Sequence, residues 1–328
     1  MRDAPPPARK DEPGEPALRP AGMVAAGAAA QLAASASRAA EAPGMAPVGD
    51  RTRNVRLWIA YLLMIAYALF MFVPFTWTVV TSFKLRSDSL NLELLPNPVS
   101  LAGWQYVFDT LDPSILTLYS NSAVIAFVVT ISNLALGSLA GYAFARLRFP
   151  GRELLFLVVL GTLMIPDQLR VVPVYVLFND LGLTRGIGQY VAVILVLAIS
   201  ASSIFLLRQY FLTIPKDLEE AARIDGAGFF TTFYRVMLPL ATPALAAVTI
   251  LQFQGTWNSF LWPVIFLKDK DHITLPLALY LFRESGGFTT NWPPLMAVIC
   301  LATIPILLLY VFFQRFFVEG VASSGVKG

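Results

Sequence analysis

The chain reads as an all-α polytopic membrane protein with six transmembrane helices, and three observations carry that reading. Of its 328 residues, 56% are apolar and 14% charged, where a soluble domain has about 25% charged. Six stretches each supply the roughly 20 apolar residues that a helix needs to cross a hydrocarbon core about 30 Å thick. The basic residues segregate: with the N-terminus inside, inner segments hold 17 of the 24 Lys and Arg and outer ones hold seven, as positive-inside topology requires.

Composition also excludes classes. A mean hydropathy of +0.65 rules out disordered and fibrous chains. The single cysteine, Cys300, rules out a disulfide scaffold, and one Cys with one His (His272) leaves no zinc site for this chain to build. The net charge is +3, without the basic stripe of a nucleic-acid binder.

Residues 1–50 are rich in Pro, Ala and Gly and lack aromatic residues. They predict a disordered cytoplasmic tail. A cleaved signal peptide fits poorly, because the first apolar run begins at Leu57 and is long enough to span. The spans follow near 57–80, 119–145, 153–178, 189–211, 240–267 and 295–317. The third is the weakest: its apolar part ends at Ile165-Pro166, with Asp167 and Arg170 beyond. It predicts a break at the outer surface and a second short piece over 171–178. The inner loop Arg146-Leu-Arg-Phe-Pro-Gly-Arg152 carries three arginines. Both termini are therefore expected in the cytoplasm. Trp58, Tyr61, Trp262 and Tyr310 lie near span ends, where such rings act as interfacial anchors. Cys300 reads as a small buried apolar residue, and His272, among Lys268, Asp269, Lys270 and Asp271, as part of a solvated loop.

No charge lies deep in the other five spans. Self-sufficient carriers keep ionisable groups there, and a membrane-embedded enzyme needs a nucleophile and base, a metal set or paired carboxylates. Neither is present in the sequence.

The longest inner loop, 212–239, carries the strongest signal. Pro215 suits a first helical position, Asp217, Glu219 and Glu220 suit the positive end of the helix dipole, and Gly226 and Gly228 suit its termination. A short helix is predicted over about 215–226. Leu218, Ala221, Ala222 and Asp225 fall on one face, with the small residues permitting close approach of another surface. A second helix near 229–236 ends at Pro239. A polar loop tucked beneath the membrane is the alternative reading of this pattern.

The spacing goes further. Glu220-Ala221-Ala222, three residues, Gly226, nine residues and Val236-Met-Leu238-Pro239 resembles the EAA motif of ABC importer permeases, with Val236 in place of the usual Ile. Asn121-Ser122, Gly141-Tyr-Ala-Phe-Ala-Arg146, Ile165-Pro166-Asp-Gln168, Ile224-Asp-Gly-Ala227 and Trp257-Asn258-Ser-Phe260-Leu-Trp-Pro263 extend the resemblance to the carbohydrate-uptake, MalG-like branch. It covers about residues 55–328. The implied fold is a MetI/MalG-like permease bundle with cytoplasmic coupling helices in a bacterial inner membrane. The implied partners are a second, MalF-like permease, two ATP-binding subunits and an extracytoplasmic solute-binding protein.

The chain has no G-x-x-x-x-G-K-[ST] loop, so it is expected to be no enzyme and to bind no cofactor, with ATP and Mg held by the partner subunits. Glu220, Ala221, Ala222, Asp225, Gly226, Leu238 and Pro239 are the expected ATPase-coupling residues. A sugar path needs amides, hydroxyls and aromatic faces, and Asn133, Gln254, Trp257 and Asn258 are its candidates. Interhelical hydrogen bonding is the alternative role for each. The resemblance gives the partner permease the larger share of sugar contact. It also suggests that the outer loop bearing Gly286, Gly287, Phe288 and Trp292 meets the binding protein. Within this class a polyol or glycerol 3-phosphate is the second substrate reading, and a secondary carrier the second class.

Overall fold

A computed structural model describes residues 50–91, 93, 95–285 and 291–324. The predicted tail over 1–49, the loop residues Gly286, Gly287 and Phe288, and the last four residues lie outside the described set. The chain divides into units Met1–Met71 and Phe72–Gly328.

The described secondary structure is helical throughout. α1 (Asp50–Ser82) presents apolar side chains from Val55 to Phe75 outward, as a lipid-facing helix does. In the larger unit, α2 (Ile115–Arg146) is the central helix. Around it stand α3 (Arg152–Thr162), α4 (Asp167–Asp180), α5 (Gly188–Leu197) and α6 (Ala201–Thr213). The segment between the fourth and fifth spans follows as α7 (Asp217–Ile224) and α8 (Phe229–Leu240). Then come α9 (Thr242–Trp257), α10 (Leu261–Phe266), α11 (Leu275–Ser285) and α12 (Trp292–Ser324).

α2 packs against α5, α6, α9 and α11. Small residues allow it. A Cβ added to Gly141 would stand 3.0 Å from the Arg208 nitrogen, and one on Gly137 would stand 3.2 Å from Ser203 Cβ. Close backbone approach is how helices gain contact where no hydrophobic effect separates them from lipid. Two apolar clusters result. One gathers Leu118, Ile125, Val129, Phe253, Trp257 and Trp262; the other, at the C-terminal end of α2, gathers Tyr142, Leu207, Phe211, Phe233 and Met237.

Among the described residues, three helices are long and apolar enough to span, Asn54–Ser82, Ile115–Arg146 and Trp292–Gln314, and up to six spans result when three bent pairs each count as one. The bends revise several expectations. α3 has 11 residues, about 16 Å at 1.5 Å per residue, half a bilayer core. Its break at 163–166 therefore lies half-way along the bundle rather than at the outer surface, and α4 departs at 98°. Pro166 causes it, because proline disfavours helical backbone in the residue before it. The fourth span is also broken, by 41° at Ala198–Ser200. Pro239 does not end α8. A π turn over Phe233–Met237 carries the helix past it to Leu240, and the 76° bend falls at Ala241.

Trp262 is 2% exposed within the apolar core, so it is a packing residue and no interfacial anchor. Trp58, Tyr61 and Tyr310 are exposed. His272 is less solvated than its charged neighbours imply. Its ring meets Tyr190 edge-on at 4.8 Å, and Nδ1 lies 3.3 Å from Asp269 Oδ2.

Candidate functional site: the α7 elbow and the cavity at the helix breaks

The elbow is built on α7. Its N-terminal amides meet the Lys216 carbonyl, which accepts from Glu219 N at 2.9 Å and Glu220 N at 3.1 Å; Pro215 lies outside the helix, two residues before its start. Its end is a Schellman closure: Gly226 N donates to Arg223 O at 3.0 Å and Ala227 N to Ala222 O at 2.9 Å. Gly226 takes φ +85°, a conformation that costs an L side chain about 1–2 kcal/mol.

With its ends set, the helix has two faces. Glu219 is buried and forms an ion pair with Arg146, Nε to Oε1 at 2.8 Å. On the other side Glu220, Ala221 and Asp225 are exposed, Ala222 is half-buried, and Ile224 is 86% exposed. The Glu220 carboxylate has no hydrogen bond or salt bridge to another described residue. Leu238 packs into the cluster around Tyr142 while Pro239 is exposed. So the expected coupling residues divide: Leu238 anchors the elbow to the bundle, Gly226 shapes it, and Glu220, Ala221 and Asp225 face outward. Reading 218, 221, 222 and 225 as one face missed Ile224. It also missed Glu219, whose partner Arg146 lies 73 positions earlier in the sequence.

Beneath α7, Tyr142 is packed among Phe211, Phe229 and Phe233 with centroids 5.6, 5.3 and 5.1 Å apart. Arg208 lies 3.9 Å above the Phe156 ring and reaches Glu153 Oε2 at 3.1 Å. The C-terminal ends of α2 and α6 and the N-terminal end of α3 are thus tied together.

Half-way along the bundle, a cavity of about 510 Å³ opens where the α3–α4 and α5–α6 breaks meet α9. Its polar lining includes Thr162, Ser200, Gln252 and Thr256, with Asp167 and Arg170 ion-paired to each other. Asn133 stands behind it, fully buried. Its Nδ2 donates to Leu197 O at 2.8 Å and Val129 O at 3.0 Å, and its Oδ1 accepts from Ser200 N at 2.8 Å and Ser203 Oγ at 3.2 Å. Two backbone groups freed by the break, the Leu197 carbonyl and the Ser200 amide, are satisfied by this one amide, as irregular backbone at membrane depth demands. Gln252 Nε2 donates to Ser200 Oγ at 3.0 Å.

The path candidates therefore separate. Asn133 spends its polar atoms on the break. Trp257, 2% exposed, donates to Ala302 O at 3.1 Å and stacks on Phe253. Gln254 and Asn258 are exposed together, the latter donating to Gln254 O at 3.0 Å, on a side of α9 away from the cavity. Gln252, another polar residue of this span and on a different side of the helix from Gln254 and Asn258, faces the cavity. Trp292 is half-buried and lines a groove between α11 and α12.

Residues 133–323 match the family model described as "binding-protein-dependent transport system inner membrane component". The chain is 36% identical over 277 residues to the arabinooligosaccharides transport system permease protein AraQ of Halalkalibacterium halodurans, covering 82% of this chain and 97% of that one. It is 32% identical over 281 residues to the sn-glycerol-3-phosphate transport system permease protein UgpE of Yersinia enterocolitica, covering 84% and 99%. Among solved structures, a bacterial ABC transporter involved in the import of the acidic polysaccharide alginate has a chain of the same fold. It matches at a TM-score of 0.71 and 24% identity, over 83% of this chain and 99% of that one.

Proposed function

This chain belongs to the family of binding-protein-dependent transport system inner membrane components, and from that premise we propose that it is one of two permease subunits of an ATP-driven saccharide importer. The second permease resembles MalF, two ATP-binding subunits sit on the cytoplasmic side, and a solute-binding protein delivers the saccharide outside. Both termini are cytoplasmic, since the arginine-rich 146–152 loop belongs inside.

The observation that carries this reading is the elbow. α7 is fastened to the bundle by its buried face and leaves Glu220, Ala221 and Ile224 free on the other. Ile224 seats in an apolar groove of an ATP-binding subunit, Ala221 permits the close approach, and Glu220 accepts charge-assisted hydrogen bonds from a basic group there. ATP and Mg bind the partner subunits; this chain converts no chemical bond. Closure of the ATPase pair pushes the elbow, and the bundle passes between outward-open and inward-open states.

The cavity at the helix breaks is this subunit's share of the route. Discontinuous helices at mid-depth are where transporters place their solutes, and its hydroxyls and amides suit sugar hydroxyl groups. A named relative carries glycerol 3-phosphate in its description. That alternative is disfavoured by Arg170, the cavity's cation, being ion-paired with Asp167.

The test is reconstitution of the four-subunit complex in vesicles with its binding protein. Uptake of arabinotriose, driven by internal or external ATP on the cytoplasmic face, is expected to exceed that of glycerol 3-phosphate. Solute accumulation by this chain without ATP-binding subunits would refute the proposal.

A further inference from the structure

At the cytoplasmic end of the bundle one guanidinium holds two points of the elbow. Arg146, the last residue of α2, donates from Nη2 to the Ile214 carbonyl just before α7. Its Nε stands 2.8 Å from Glu219 Oε1 in the first turn of α7. The two side chains are 4% and 6% exposed, and no other ion pair among the described residues is buried on both sides. Burying two charges sacrifices more hydration than apolar packing would, so such a pair is a poor device for stability alone.

Its position gives it another use. α6 and α8 are joined to α7 by the chain itself and must follow it. α2 has no such connection, because Glu219 is 73 residues further along. The aromatic rings around Tyr142 offer contact without direction and allow sliding. A short ion pair shielded from water resists extension, because the attraction between the two charges is little screened there. From Arg146 a straight helix runs back 13 residues, about 20 Å, to Asn133, the amide that holds the α5–α6 break beside the cavity.

We infer that the Arg146–Glu219 pair is a force-bearing joint that makes span two follow the elbow, so that movement of α7 reaches the cavity through α2 and Asn133. This rests on the reading of α7 as the element an ATPase pushes. Arg146 and Glu219 are positioning residues. They touch neither nucleotide nor solute.

The test follows span two directly, in the assembled complex and without sugar. A bimane fluorophore is attached at Ile131→Cys, an exposed position on α2, in a Cys300→Ser background. ATP plus vanadate is then added. With the joint intact the emission is expected to shift. In Glu219→Gln, which keeps shape and removes charge, and in Arg146→Met, the shift should fall at least five-fold while subunits still co-purify and ATP is still hydrolysed. Arg146→Lys, which keeps the charge, should recover at least half of it. If Arg146→Met fails to assemble, Glu219→Gln against Arg146→Lys carries the comparison. A full shift in Glu219→Gln, or no shift with the joint intact, would overturn the joint. Failure of the unmodified complex to take up saccharide would instead count against the importer reading, because the fluorescence measurement uses no saccharide.

Discussion

Single residues set the terms of this molecule through hydrogen bonds they alone can complete. Asn133 has no exposed surface and bonds three groups at the α5–α6 break, with a fourth bond to Val129 O in its own helix. Asn133→Ala strands the Ser200 amide and the Leu197 carbonyl. Each unmet buried group costs about 1–3 kcal/mol, so the thermal unfolding midpoint in detergent should fall, and Asn133→Asp, which loses both Nδ2 bonds, should not restore it. Gly226 is a simpler case, because a Cβ there meets nothing within 4 Å and the only obstacle is φ +85°. Gly226→Asn, which tolerates that region, should keep ATPase co-purification within about two-fold in strength, roughly 0.4 kcal/mol. Gly226→Val should weaken it about ten-fold, in line with a strain of about 1–2 kcal/mol.

Elements matter here for where they stop. The third span is a half-length helix followed by α4 at 98°, and the fourth breaks at the same level, so the cavity is a product of two interruptions. Gln252→Leu removes the bond to Ser200 and a polar wall of the cavity. Transport is expected to slow at least ten-fold, while assembly and ATP hydrolysis persist. Gln254→Leu, on the exposed side of α9, should leave uptake within two-fold; radiolabelled uptake by the complex distinguishes the two. α7 illustrates the converse. Its start, its Schellman end and its acidic first turn are all legible from residues 215–227, since each depends on neighbours one turn away. Its buried face is not, because Arg146 belongs to another helix.

At the scale of the whole molecule, the proposed ATP-binding subunits should meet the outward face of α7. Ile224, 86% exposed, is expected to be an anchor of the ATPase contact. Ile224→Asp should abolish co-purification of the ATP-binding subunits without lowering the yield of this chain in membranes, as read by quantitative immunoblot. Ile224→Leu should be tolerated.

Apolar runs, the placement of Lys and Arg, and the spacing from Glu220 to Pro239 were sufficient to determine a six-span helical permease, its sidedness as an expectation, and the existence of an elbow. These are properties of composition and local period, which residues carry with them along the chain. Only the tertiary structure decided that the fourth span is also broken, which amides face open space, that Trp262 belongs to the core, and that Glu219 rather than Glu220 is held inside. The roles of Asn133, Gln252 and Glu219 are choices of partner between residues about 50 to 75 positions apart. At that separation, burial and hydrogen-bond satisfaction, rather than helical period, select which polar group is spent and which is left free.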